Sequence, residues 1–340
     1  MNVILAYHNR PAAHHVSHIG LGVSALNTAK ILRENGIPTN LWAVLGTKEI
    51  QEKISAATAA GNRPTHIVIC APWLPTLDLQ ILIFGNTDIQ FAVTCHSNVG
   101  FLSADPLAIA NFRSMLSLEQ GALNFSAAGN SQRFCSWITA SYGRPCTWLP
   151  NLYFMENESP MYRRPWTGGD LNIGAFGAVR PLKNTLSAVA AALILHADLN
   201  VQINFHINVG RIEGGGTVVR SIEEMTTNVP NFNLIKDPWY QWPQFRQLIK
   251  RMNILIQPSY TESFNMVTAD GAAECIPSVV SDAIDWAPEE WKAEVDDAVN
   301  IAYVAKNLLN DMHAGAKGFR ALRSHNDNGL ISWKNWVSGK

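Results

Sequence analysis

Short runs of aliphatic and β-branched residues recur along the chain, each followed by a longer stretch of mixed polarity. Residues 2–8 (NVILAYH), 39–45 (TNLWAVL), 65–72 (THIVICAP), 89–97 (IQFAVTCHS), 124–130 (NFSAAGN) and 146–153 (CTWLPNLY) predict strands. The most apolar of them do not alternate. That is the signature of strands buried on both faces, as in a parallel sheet covered by helices. Between them, 23–36, 107–122 and 131–143 predict helices, the first and last stopped by Gly36 and Gly143. A polar loop over 14–22 separates the first strand from the first helix.

The turn-rich stretch 155–170 (MENESPMYRRPWTGGD) reads as a linker, and the rhythm then restarts. Strands are predicted at 171–177, 201–208, 231–237, 253–259 and 278–282, with helices at 184–197, 241–251 and from Met266 onward. The acidic run 287–297 reads as a solvated helix face, and one further helix is expected to contain residues 304–326. Trp333 and Trp336, spaced i and i+3, would pin an amphipathic terminal helix. Strands alternating with helices in both halves give an α/β protein with two doubly wound, Rossmann-like domains.

At 340 residues, 47% apolar and 16% charged, the chain is long enough for two domains that each bury a core. A formal charge of −1 without a long Lys/Arg cluster argues against nucleic acid as a partner and against a polybasic membrane anchor. No apolar stretch is long enough to span a bilayer, and the first apolar run is too short for a signal peptide. The five cysteines have no CxxC spacing and read as reduced core residues, so a cytoplasmic location is expected.

The chemistry concentrates where predicted strands end. After 253–259 the segment TESFN opens the helix MVTADGAAE, so a strand, a loop and a helix start meet at one spot. A helix N-terminus offers unpaired N–H groups and the positive end of its dipole, which suits an anion. Glu262 on the loop and Asp270 in the helix flank it as carboxylates able to grip sugar or ribose hydroxyls. The turn GAFGAVRPLKN (174–184) also joins a strand to a helix. Its Gly177 permits close backbone approach to a phosphate, and Arg180 and Lys183 could meet a diphosphate's charge. The same residues also fit an ordinary basic surface turn.

His14, His15 and His18 lack a carboxylate or cysteine partner in sequence, so no metal site is expected. His96 stands at a predicted strand end, either as a ligand contact or satisfied by local backbone. Trp239 or Tyr240, in KDPWYQW, either covers a nucleotide base or packs. Gly20 and Gly22, in HIGLGVS, do not complete a dinucleotide fingerprint.

Glu262 and Asp270, the small-residue helix and the following P-x-VVSD strand together resemble the retaining glycosyltransferases of family 4, which have the GT-B fold. The second carboxylate is Asp where that family usually has Glu. The 174–184 turn looks like the family's G-R-x-x-x-x-K loop, but the Arg position is Ala178, and Arg180 either replaces it or faces elsewhere. The SW…W tail is similar to the family's last helix, which crosses back onto the first domain.

The resemblance implies two domains facing across a cleft: 1–155 on the acceptor side, 156–322 holding the donor, and 323–340 returning to the first. It implies transfer of a sugar from a UDP- or GDP-sugar to an acceptor hydroxyl with retention, without a cofactor. The acceptor, whether glycan, lipid, small molecule or protein, stays open. His96, Glu262, Arg180 and Lys183 take catalytic roles. Gly20, Gly22, Gly177, Ser263, Phe264, Asn265, Met266, Asp270 and Trp239 bind the donor. No D-x-D occurs in the chain, so a metal-dependent donor site is not expected. A nucleotide-sugar epimerase, a phosphorylase or a non-catalytic binding module of the same fold are the alternatives.

Overall fold

The computed structural model describes residues 1–9, 18–102, 106–161, 165–214 and 216–339, without the side chains of 18, 19 and 106–108. The chain forms two compact units: Met1–Phe154 with Asn326–Lys340, and Met155–His325.

The first unit is a parallel sheet of β1 (Val3–His8), β2 (Thr39–Val44), β3 (His66–Cys70), β4 (Gln90–Cys95), β5 (Phe125–Gly129) and β6 (Thr147–Trp148). The strand order is β2-β1-β3-β4-β5-β6. Its helices are α1 (His18–Glu34), α2 (Thr47–Ala59), α3 (Thr76–Phe84), α4 (Val99–Leu102), α5 (Pro106–Glu119) and α6 (Gln132–Tyr142). Successive strand residues bury on opposite faces, which explains the unbroken apolar runs: Ile4, Ile67 and Val93 enter one core, and Leu5, Val68 and Ala92 the other.

The second unit carries β7 (Leu171–Ala175), β8 (Ile203–Asn208), β9 (Phe232–Asp237), β10 (Ile254–Gln257) and β11 (Ser278–Val280), ordered β11-β10-β7-β8-β9 and all parallel. Its helices are α7 (Thr185–Leu199), α8 (Gly216–Thr226), α9 (Trp242–Ile249), α10 (Met266–Ala273) and α11 (Ala298–Asn310); α12 (Ala314–Val337) supplies residues to both units. In the first unit the Asn326 amide brackets the Tyr153 peptide, accepting from its N–H at 2.9 Å and donating to its carbonyl at 2.8 Å. Trp333 donates its indole N–H to the Pro150 carbonyl at 3.0 Å and is buried with Trp336.

Four sequence expectations are corrected. Residues 18–22 are not loop: α1 begins at His18, so Gly20 and Gly22 lie inside a helix. Strand β6 keeps only Thr147 and Trp148 of the predicted 146–153, because Leu149 to Phe154 turn to dock on α1 and α12. The acidic run 287–297 is not a helix. Pro288 starts a single 3-10 turn over Glu289–Trp291, Trp291 is fully buried, and Lys292 pairs with Val280 beside the sheet. Residues 304–326 form two helices, broken where the Asp311 side chain accepts from the His313 N–H at 2.8 Å. Helix α8 was not foreseen.

Gly318 on α12 lies against Trp291: a Cβ there would stand 2.0 Å from the indole. Trp291→Ala should empty that contact and lower stability by about 3–5 kcal/mol, read as a urea midpoint shift. His96, just after β4, is half-buried, and burial pulls its imidazole pKa down to about 4. The unfolded chain binds a proton near pH 6.5 and the folded one only near pH 4. Neutral His96 therefore supports the fold fully above that window, and the support declines as pH falls through it. His96→Gln should flatten the pH dependence of unfolding between about pH 6.5 and 4 relative to wild type.

Candidate active site

The site residues of the second unit come from loops that leave the C-terminal ends of β7, β8, β9 and β10, the edge where open α/β sheets bind ligands. After β7, Gly177 adopts φ +116°, a conformation open to glycine, and its N–H donates to the Asn208 side chain at 3.1 Å at the end of β8. The chain then passes Arg180 and makes a 3-10 turn over Pro181–Lys183. Asn184, with φ +54°, ends that turn and ties it down. Its amide donates to the carbonyls of Pro258 at 3.1 Å and Val295 at 2.6 Å, while Ser187 donates to its oxygen at 2.7 Å. The Tyr260 N–H adds a bond to the Leu182 carbonyl at 3.0 Å. The loops after β7 and β10 are thereby held as one piece.

That fastening brings Lys183 and Glu262, 79 residues apart, into a direct ion pair. Their side chains are only 13% and 10% exposed. The same Glu262 oxygen accepts from Ser259 at 3.1 Å and from the Asn265 amide at 3.3 Å. Asn265, with φ +62°, caps α10 by accepting from the Thr268 N–H at 3.0 Å. Phe264 is buried; its carbonyl accepts from the Trp286 indole at 2.7 Å, and its ring lies 5.6 Å from Trp286 and 5.1 Å from His325. Ser263 and Met266, beside it, are half-buried at the helix start. A lysine, a carboxylate and a helix N-terminus thus meet at one point, which suits an anion bonded to a polyol.

Asp270 lies farther along α10. It is 2% exposed, and its Oδ1 accepts from the Trp242 indole at 2.9 Å. Arg180 faces Glu213, 3.4 Å away, and Ala178 is buried. Trp239, after β9, is half-buried with the Arg211 guanidinium 5.5 Å from its ring. In the first unit, His96 follows β4, Gly20 on α1 is exposed, and Gly22 is half-buried facing Tyr7. His14 and His15, with the His18 side chain, fall outside the described residues. No group of three metal-ligating side chains occurs among the described residues.

Sequence reasoning singled out the four residues Gly177, Lys183, Glu262 and Asn265, which converge in the second unit. It missed Asn184, Asn208 and Ser259, which fasten these residues or their loops, and Trp242 and Trp286, which donate to Asp270 and to the Phe264 carbonyl. Asn184 had a signal, an Asn directly before a helix; the two tryptophans had none, since their partners lie 28 and 22 residues away.

No protein-family model and no curated protein matches the sequence. Solved structures do. Sucrose-phosphate synthase of Thermosynechococcus elongatus matches with a TM-score of 0.65 at 12% identity, over 99% of this chain and 98% of its own. A glycosyltransferase of Rickettsia africae gives 0.63 at 14% identity over 98% and 96%. TarM of S. aureus, solved with UDP, gives 0.60 at 14% identity over 80% of this chain, which spans 55% of TarM. At such identities the likeness speaks for the fold. The chain has the two-domain, Rossmann-like GT-B fold shared by these glycosyltransferases.

Proposed function

We propose that this protein is a retaining glycosyltransferase that moves a sugar from a nucleotide-sugar donor to an acceptor hydroxyl without a metal. The observation that carries the reading is the Lys183–Glu262 pair at the start of α10, joined through the fastened loops after β7 and β10. The similarity to TarM solved with UDP supports a UDP- or GDP-sugar as donor. A cytoplasmic location agrees with five unbridged cysteines, and no helix among the described residues is long and apolar enough to cross a membrane.

In this reaction the glycosidic C–O bond to the diphosphate breaks while the acceptor oxygen bonds the same carbon from the same face. The acceptor's proton passes to the departing phosphate oxygen. Lys183, Arg180 and the N–H groups of Ser263 to Met266 meet the charge that develops on the diphosphate. Glu262 holds sugar hydroxyls, and Gly177 and Phe264 shape the backbone around the donor. Asp270 becomes the ribose ligand once Trp242 releases it, and Trp239 covers the base.

A second reading, a non-catalytic sugar-binding module, is favoured by two observations: Ala178 is buried where a cation is usual, and Asp270 is engaged by Trp242. Donor binding with neither hydrolysis nor transfer would select it.

Thermal unfolding against a panel of nucleotide sugars and nucleoside diphosphates tests the donor. A ligand at 100 times its Kd should add about 2.7 kcal/mol, and Lys183→Ala should abolish the shift relative to its own unliganded midpoint. A flat response across the panel overturns the reading. Glu262→Gln should cut kcat by about 100-fold while far-UV circular dichroism stays unchanged, and undiminished turnover would remove Glu262 from the site.

A further inference from the structure

The loop after β8 closes onto the loop after β7. Val179 and Ile212 form a β-bridge, the Val179 N–H donates to the Arg211 carbonyl at 2.9 Å, and the Glu213 N–H donates to the Val179 carbonyl at 2.9 Å. This zipper brings two arginines to one carboxylate. Arg180 Nη1 lies 3.4 Å from Glu213 Oε2, and Arg211 binds Glu213 Oε1 through Nη2 and, at 2.8 Å, through Nε. The Arg211 side chain is 14% exposed and lies 5.5 Å from the Trp239 ring. The buried Trp239 indole N–H has no acceptor among the described residues. Two arginines thus share one carboxylate at the strand-end edge, with the Trp239 ring beside one of them.

We infer that Arg211 supplies the second cation for the donor's diphosphate, the charge missing at Ala178, and that Glu213 occupies that anion site as an internal stand-in until a diphosphate displaces it. The inference rests on the nucleotide-sugar reading above and names the residues that perform one part of it. The physical case is charge and shape. A guanidinium presents a planar fork suited to a carboxylate or a phosphate oxygen pair, so a site that satisfies one serves the other. Lys183 shares its charge with Glu262, so a diphosphate calls for a further cation beside it, and the zipper delivers Arg211 to the strand-end edge that also carries Gly177. Glu213 sits at 35% side-chain exposure on a loop and can swing to solvent, whereas the arginines are held at 25% and 14%. The indole N–H of Trp239 would give the ligand one further bond.

The test is equilibrium binding of UDP, GDP and inorganic pyrophosphate by calorimetry to the full chain and to Arg211→Ala, Arg211→Lys, Lys183→Ala and Glu213→Gln. Each variant's unfolding midpoint is measured to confirm that it folds. Arg211→Ala should weaken diphosphate binding tenfold or more, and Arg211→Lys, which keeps the charge but loses the fork, should weaken it less. Glu213→Gln should tighten binding severalfold, because the internal competitor is gone. A role for Glu213 in merely fastening the arginines predicts the opposite sign. If Lys183→Ala weakens binding and Arg211→Ala does not, the inference falls while the nucleotide-sugar reading stands. Weaker binding in Glu213→Gln removes the stand-in. If wild type binds none of the three ligands, both fall.

Discussion

The second unit's site depends on one buried ion pair. Lys183 and Glu262 are both nearly withdrawn from water, which costs several kcal/mol per ion before any attraction is counted. Their mutual attraction offsets this only with close geometry and further hydrogen bonds, and Ser259 and Asn265 provide those bonds to Glu262. Apolar residues of similar volume would serve stability as well or better. What the pair does that they could not is hold a cation and an acceptor at fixed positions beside a helix N-terminus. Strain accumulates at the same place: Asn184 and Asn265, neither of them glycine, both have positive φ. Such positions persist only where surrounding bonds over-determine them, and the Asn184 bridges to Pro258 and Val295 do that.

Much of this was legible in the sequence because parallel strands buried on both faces leave a strong mark. Every strand predicted in the second half became a strand, and turns bearing glycine and asparagine after them became the loops of the candidate site. That rhythm predicts two doubly wound domains, and the GT-B expectation came from the resemblance carried by Glu262, Asp270, the strand after them and the tail tryptophans. The failures share a cause. Gly20 and Gly22 read as loop because glycine weakens helix propensity, yet α1 continues through them. Residues 287–297 read as solvated because their charges are conspicuous, while Trp291 alone decides where the segment lies. Burial of one large side chain outweighs several surface charges, since the charges can be met by water or by one another, as Lys292 is by Glu289 at 2.8 Å.

Within the site, sequence identified the residues that carry charge and missed those that position them. Trp286 fixes the Phe264 carbonyl, and with it the peptide leading into α10, from 22 residues downstream. Trp242 engages Asp270 from 28 residues upstream. Neither tryptophan stands in a motif, because an indole N–H can reach its acceptor from any element that passes nearby. Only the folded sheet, with β10 between β7 and β11, decides which elements those are.

The two departures from the family pattern have different physical standing. Ala178 does not leave its loop without a neighbouring cation: Val179, the next residue, pairs with the segment that carries Arg211 and Glu213. Asp270 has no such replacement. Shortened by a methylene relative to Glu and sealed at 2% exposure, it accepts from the Trp242 indole. The Lys183–Glu262 pair, by contrast, is held from two loops, through the Asn184 bridge and the bonds that Ser259 and Asn265 give to Glu262.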